Sequence, residues 1–208
     1  MHRWATGIVA QAQARPAPDA SEEEILAQGP GDAELPGWFR EGHAALVRTL
    51  TKAPPELDCW AFLAAPSPLA FWARRQAHET AIHRVDAEQA AGRTSASAFE
   101  PAFAADGVDE LIMGFLARSI RRGSWPGLDA GLAVHTSDDA AASADWLVAG
   151  GADEPGVSRS TGAAGCAVTG PARDLYLTLW NRRPPDGLQV TGDPGILTAF
   201  RRELQITW

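Results

Sequence analysis

Arg75, Glu79, His83 and Asp86 follow one another at spacings of four, four and three residues. In a helix that advances about 100° per residue, those spacings bring all four side chains onto one stripe. A carboxylate and an imidazole at i, i+4 can supply two ligands to one divalent ion, and bundle helices bind metals through such rows. A third ligand must then come from another helix, leaving an open position for water or substrate. In that reading Glu79 and His83 are metal ligands, and Asp86 holds the other imidazole nitrogen of His83. The same spacing also describes a solvated face with i, i+4 ion pairs, so periodicity leaves both readings open.

The segment also contains His78-Glu79-x-x-x-His83, which differs by one residue from the His-Glu-x-x-His of zinc proteases. Five residues place His78 and His83 about 140° apart on the helix, so they cannot face one metal. His78 is expected in the core or at a helix–helix hydrogen bond. His43 is expected on a helix surface or in helix packing, and His135 sits in a strand where either face is open to it.

The elements that position this stripe are helical. Apolar spacing predicts a helix over 2–14, stopped by Arg15-Pro16-Ala17-Pro18. Ser21-Glu22-Glu23-Glu24 is a capping box opening a short helix that ends at Gln28-Gly29-Pro30-Gly31. A further helix is expected over 36–52, with Trp38, Ala45, Leu46 and Leu50 on one face. Ser67-Pro68 caps and starts the helix that carries the stripe, which runs to about Ala91 and stops at Gly92. Trp72, Ala77, Ile82 and Val85 are its expected buried positions. A last helix of this half is expected over 108–122, with Leu111, Ile112, Phe115, Leu116 and Ile120 as its apolar stripe.

Near residue 128 the pattern changes to short β-branched runs broken by Gly, Pro and Asp. Strands are expected over 131–136, 145–149, 156–160, 165–169 and 188–191, with helices over 171–182 and 194–204. The reading is α+β: residues 1–127 form a helical domain, and residues 128–208 a small α/β sandwich domain.

Composition narrows the partners. The 208 residues carry 18 Lys and Arg against 26 Asp and Glu, a net charge of −8. That balance, without a basic run, argues against nucleic acid and anionic membranes. No apolar stretch approaches the roughly 18 residues of a membrane span, and no signal-peptide core opens the chain. Cys59 and Cys166 belong to no Cys-x-x-Cys pair and read as free thiols of a reducing cytoplasm. The eight tryptophans are expected mainly as core or interface anchors.

The segment Phe71-Trp72-Ala73-Arg74-Arg75-Gln76-Ala77-His78-Glu79-Thr80-Ala81-Ile82-His83-Arg84-Val85-Asp86 resembles the signature helix of the actinobacterial mycothiol-dependent maleylpyruvate isomerase family. The family pattern R-x-x-x-E-x-x-x-H-x-x-D is matched by Arg75, Glu79, His83 and Asp86. "VDELIMGFLAR" at 108–118, "AVHTSD", "VTGPARDLYLTLWNR" and "LQVTGD" are similar to later parts of the same family. The resemblance implies a DinB-like, metal-binding helical bundle followed by the family's C-terminal α/β domain. It implies zinc held by a histidine from an early helix together with Glu79 and His83, with Asp86 behind His83 and Arg75 orienting Glu79.

Where the family reads "HLGGVHRWA", this chain begins Met1-His2-Arg3-Trp4-Ala5, after the first ligand. The expectation is a bundle lacking its first helix and one ligand, through a start assigned downstream of the true one or, less favoured, a truncated paralogue. His2 is a weak substitute ligand. With a complete site, the resemblance implies that metal-activated mycothiol adds to a small electrophile, as an isomerase or a thiol transferase. The contrasting expectation is a non-catalytic small-molecule-binding or regulatory protein that kept the fold without the full metal site. A homodimer would cover an exposed bundle face.

Overall fold

The computed structural model describes residues 1–14, 22–93, 98–139, 143–151 and 155–206. Ser21, the expected capping residue, and Arg15-Pro16-Ala17-Pro18, the expected helix stop, lie outside them. Two compact units divide the chain, Met1–Ala81 and Ile82–Trp208.

The first unit is helical. It holds α1 (His2–Ala10), α2 (Glu22–Ala27), α3 (Leu35–Lys52) and the greater part of α4 (Pro68–Ala90). Helix α1 stops four residues before the expected end, where Ala12 turns into a positive φ of 47°. It packs on α3, burying Ala5, Ile8 and Val9 with Leu46. The guanidinium of Arg3 lies 4.5 Å from the Trp38 ring centroid and donates to the Trp38 carbonyl at 3.0 Å, joining the two helices by a cation–π contact and a hydrogen bond. Beneath them Trp4, Trp60 and Trp72 meet at centroid distances of 5.4–6.0 Å. The Trp72 indole N–H donates to the Trp60 carbonyl at 2.8 Å, satisfying the one polar atom of a fully buried ring.

Helix α4 begins as its sequence dictates. Pro68 opens it, and Ser67 Oγ accepts from the Ala70 amide at 3.1 Å. It ends before Gly92, whose φ of +72° suits a helix-terminating glycine. Phe71, Trp72, Ile82 and Val85 are buried, but Ala77 is exposed. Ala77 lies five residues beyond Trp72, about 140° round the axis, and so falls on the solvent side.

The second unit holds the end of α4, a long helix and a sheet. The long helix starts at Pro101, seven residues before the expected start. It comprises α5 (Pro101–Asp109), a π-helical stretch Glu110–Leu116 and α6 (Ala117–Arg121). Pro101 suits the first helical position, and the small residues after it carry no apolar stripe that would mark a helix in sequence. The sheet holds β1 (Leu132–Thr136), β2 (Asp145–Val148), β3 (Val157–Ser158), β4 (Cys166–Gly170) and β5 (Gln189–Gly192) in the order β3-β2-β1-β4-β5. Only β1 and β4 run parallel, as the intervening chain crosses back; the other pairs are antiparallel. Helices α7 (Ala172–Leu179) and α8 (Pro194–Glu203) pack on β4. The architecture is therefore α+β, as expected.

Helix α5 sits tightly on α7. A Cβ at Gly107 would lie 2.3 Å from a Tyr176 ring carbon, so only glycine fits. The Trp180 indole donates to the Gly107 carbonyl at 2.9 Å. Two residues on, Asp109 accepts from the Trp146 indole at 3.0 Å and from Arg159 Nε and Nη2 at 2.6 and 2.7 Å. These bonds tie the start of the π-helical stretch to the sheet.

Candidate functional site

The signature stripe passes from the interior to the surface along one uninterrupted helix. Arg75 is fully buried, and its Nη2 donates to Glu79 Oε2 at 2.9 Å. Glu79 is 3% exposed. A carboxylate and a guanidinium this far from water need each other, because desolvating either one alone is costly. His83, by contrast, has a side chain 53% exposed, and its Nδ1 lies 3.0 Å from Asp86 Oδ2. Donation from Nδ1–H to the carboxylate leaves the Nε2 lone pair of a neutral imidazole directed elsewhere.

Asp86 carries more than His83. Arg182, just past α7, donates from Nε and Nη2 to its two carboxylate oxygens at 2.9 and 3.0 Å. Gln89 Nε2 donates to the Arg182 carbonyl. Partial burial alone would push the Asp86 carboxyl up, but the Arg182 guanidinium and His83 outweigh it and hold the group below the usual carboxylate range. A partner 96 residues away on another element leaves no trace in the spacing of a single helix.

His2 is drawn into the first unit. It is 9% exposed, with its Nε2 2.9 Å from Thr80 Oγ1 and its ring 5.4 Å from that of His43. Thr80 donates its single hydroxyl proton to the Gln76 carbonyl at 2.7 Å, so His2 must donate from Nε2. Burial, then His43 and the amino terminus, lower the His2 pKa to about 4 against the opposing pull of Glu79. His2 is thus a neutral imidazole at pH 7. His78 is in the core at 1% exposure, and His43 is exposed. His135 pairs with Asp145 across β1 and β2 at 2.7 Å, a contact within the sheet.

The donor set answers in part to a divalent metal. Glu79 and His83 are the right residue types at the right spacing, but each already engages a protein partner. Among the described residues, no three His, Cys, Asp or Glu side chains come together as a group able to hold a metal ion. Those residues do not complete a metal centre. Both cysteines are buried free thiols, and burial raises each pKa, opposed at Cys59 by a hydrogen bond with Trp72 and at Cys166 by one with the Leu197 backbone. Neither offers a thiolate at neutral pH.

Fold and site together define an α+β protein in which a helical unit carries a buried Arg–Glu pair on its signature helix and is followed by a mixed five-stranded sheet. Residues 1–88 match the family model for the mycothiol maleylpyruvate isomerase N-terminal domain, and residues 102–199 match the model for the C-terminal domain of the same family. The chain belongs to the mycothiol maleylpyruvate isomerase family. No curated protein matches it.

Proposed function

We propose that this protein is a cytoplasmic, mycothiol-dependent enzyme that adds a thiol to a small electrophile, either to isomerise it or to keep it as an S-conjugate. The observation that carries this reading is the pair of family matches, one on each part of the chain. The buried, raised-pKa cysteines support it, because the reacting sulfur then has to arrive on a cosubstrate. In isomerisation the thiolate forms an S–C bond to a cis double bond, the carbon–carbon bond rotates, and the thiolate leaves with no net redox change. In transfer the S–C bond stays, and the electrophile's carbon takes up a proton or loses a leaving group.

Zinc, when bound, would supply Lewis acidity that lowers the cosubstrate thiol pKa, with Glu79 and His83 as two of its ligands and the thiol, water or a second chain supplying the rest. The chain's own residues prepare those two groups. Arg75 aligns the Glu79 carboxylate, and Asp86, fixed by Arg182, orients the His83 ring. A second reading, a non-catalytic binding or regulatory protein, is favoured by the engagement of Glu79 and His83 with Arg75 and Asp86. It has the same small-molecule partners.

Metal analysis of the purified chain beside Glu79→Ala and His83→Ala, with mycothiol-dependent consumption of maleylpyruvate or a model electrophile, tests the proposal. About one zinc per chain, lost in both variants, together with mycothiol-dependent turnover, is the expected result. A metal-free wild-type chain without such turnover would sink the enzyme reading and leave the binding protein.

A further inference from the structure

Gln76 is 3% exposed, and neither its Oε1 nor its Nε2 has a hydrogen-bond partner among the described residues. A buried side-chain amide left in that state is destabilising, and native interiors rarely keep one without a reason. Its position on α4 gives the reason. Gln76 lies about 40° round the helix from Thr80 and about 60° from Glu79, on the buried polar face to which His2 bonds. The other polar groups of that face bond one another. Thr80 spends its proton on the Gln76 backbone carbonyl and accepts from His2, and Glu79 accepts from Arg75. A buried water would have to find two to four polar partners to satisfy the amide, and the melting temperatures in the test below separate that case. The amide, with two N–H donors and a carbonyl acceptor, is left for a molecule that brings its own donor and acceptor.

The geometry points to Gln76 as a ligand-recognition residue that receives the polar group of the thiol cosubstrate, a small molecule bearing amide and hydroxyl groups. This assignment rests on the thiol-handling reading above and adds to it a contact outside the Arg75–Glu79–His83–Asp86 pattern. It also explains why the amide is tolerated: a residue that binds in this way is unsatisfied without its ligand and satisfied with it.

The test is calorimetric titration of mycothiol into the full chain and into Gln76→Met, which keeps the side chain's volume and removes its polar atoms, with melting temperatures of both. The expected result is binding weakened tenfold or more in the variant, with a melting temperature equal to or above that of the wild type. Unchanged affinity overturns the assignment. So does a weakened affinity accompanied by a melting temperature several degrees lower, since the amide is then a structural member satisfied by bound water. If the wild-type chain itself fails to bind mycothiol, the thiol reading falls and this assignment falls with it. Binding that Gln76→Met leaves intact overturns the assignment alone.

Discussion

Arg75 and Glu79 form an ion pair with side chains 0% and 4% exposed, and that depth decides how the two respond to mutation. Removing one member leaves the other desolvated without its counter-charge, at a cost of roughly 3–5 kcal/mol. Glu79→Ala should therefore lower the urea midpoint sharply even in metal-free protein, and Arg75→Met/Glu79→Leu should recover most of the loss. A Glu79→Ala variant as stable as wild type would mean that the pair is not buried. His2 sets a different dependence. Its pKa is about 4 in the fold and about 6.5 in the unfolded chain, so between those values the unfolded state binds the extra proton. Stability is complete above pH 6.5 and falls as pH drops toward 4, by at most about 3 kcal/mol at 1.36 kcal/mol per pKa unit. Wild type should lose more stability from pH 7 to 4.5 than His2→Gln, which keeps a donor for Thr80. Parallel losses in the two proteins would remove His2 from the account. At this scale the sequence showed the pairs within one helix, Arg75 with Glu79 and His83 with Asp86, because i, i+4 and i, i+3 spacing is local. It did not show that Glu79 is buried while His83 is exposed, nor that Gln76 lacks partners, because both depend on what packs against α4.

Among the elements, helix ends carried by side-chain chemistry were legible and those carried by tertiary packing were not. Ser67-Pro68 and Gly92 bracket α4 within a residue of expectation. Helix α5 started seven residues early, because its first turns are held by contact with α7 rather than by an apolar stripe. The π-helical stretch Glu110–Leu116 has no sequence marker. The α5–α7 contact gives the prediction for this scale. At Gly107 a methyl group would meet the Tyr176 ring at 2.3 Å, so Gly107→Ala must push the helices apart or turn the ring. Despite alanine's better helix propensity, the variant should be less stable by about 1–3 kcal/mol. Tyr176→Leu should relieve much of that loss in the double variant. A neutral or stabilising Gly107→Ala would show that α5 and α7 pack more loosely than described.

At the scale of the molecule, charge and architecture point the same way. Both parts of the chain belong to one family of thiol-dependent proteins, and no helix among the described residues is long and apolar enough to cross a membrane. The net charge of −8 acts on every encounter before any site is reached. Phosphate backbones and anionic headgroups are repelled over about 8 Å at physiological ionic strength, whereas a small cosubstrate can pass within that distance of an individual arginine. Three of the arginines are engaged with carboxylates: Arg75 holds Glu79, Arg159 holds Asp109, and Arg182 holds Asp86. Arg118, Arg121 and Arg122 come together at the end of α6, where burial and its two neighbours lower the Arg118 pKa, so the overall negative charge has to outweigh one local cationic cluster. The chain should pass through heparin at pH 7 in about 0.15 M salt, and should neither shift duplex DNA nor sediment with phosphatidylserine vesicles. Salt-sensitive retention on any of the three would mean that a basic face dominates the overall negative charge, and the small-molecule reading would then have to make room for a polyanionic partner.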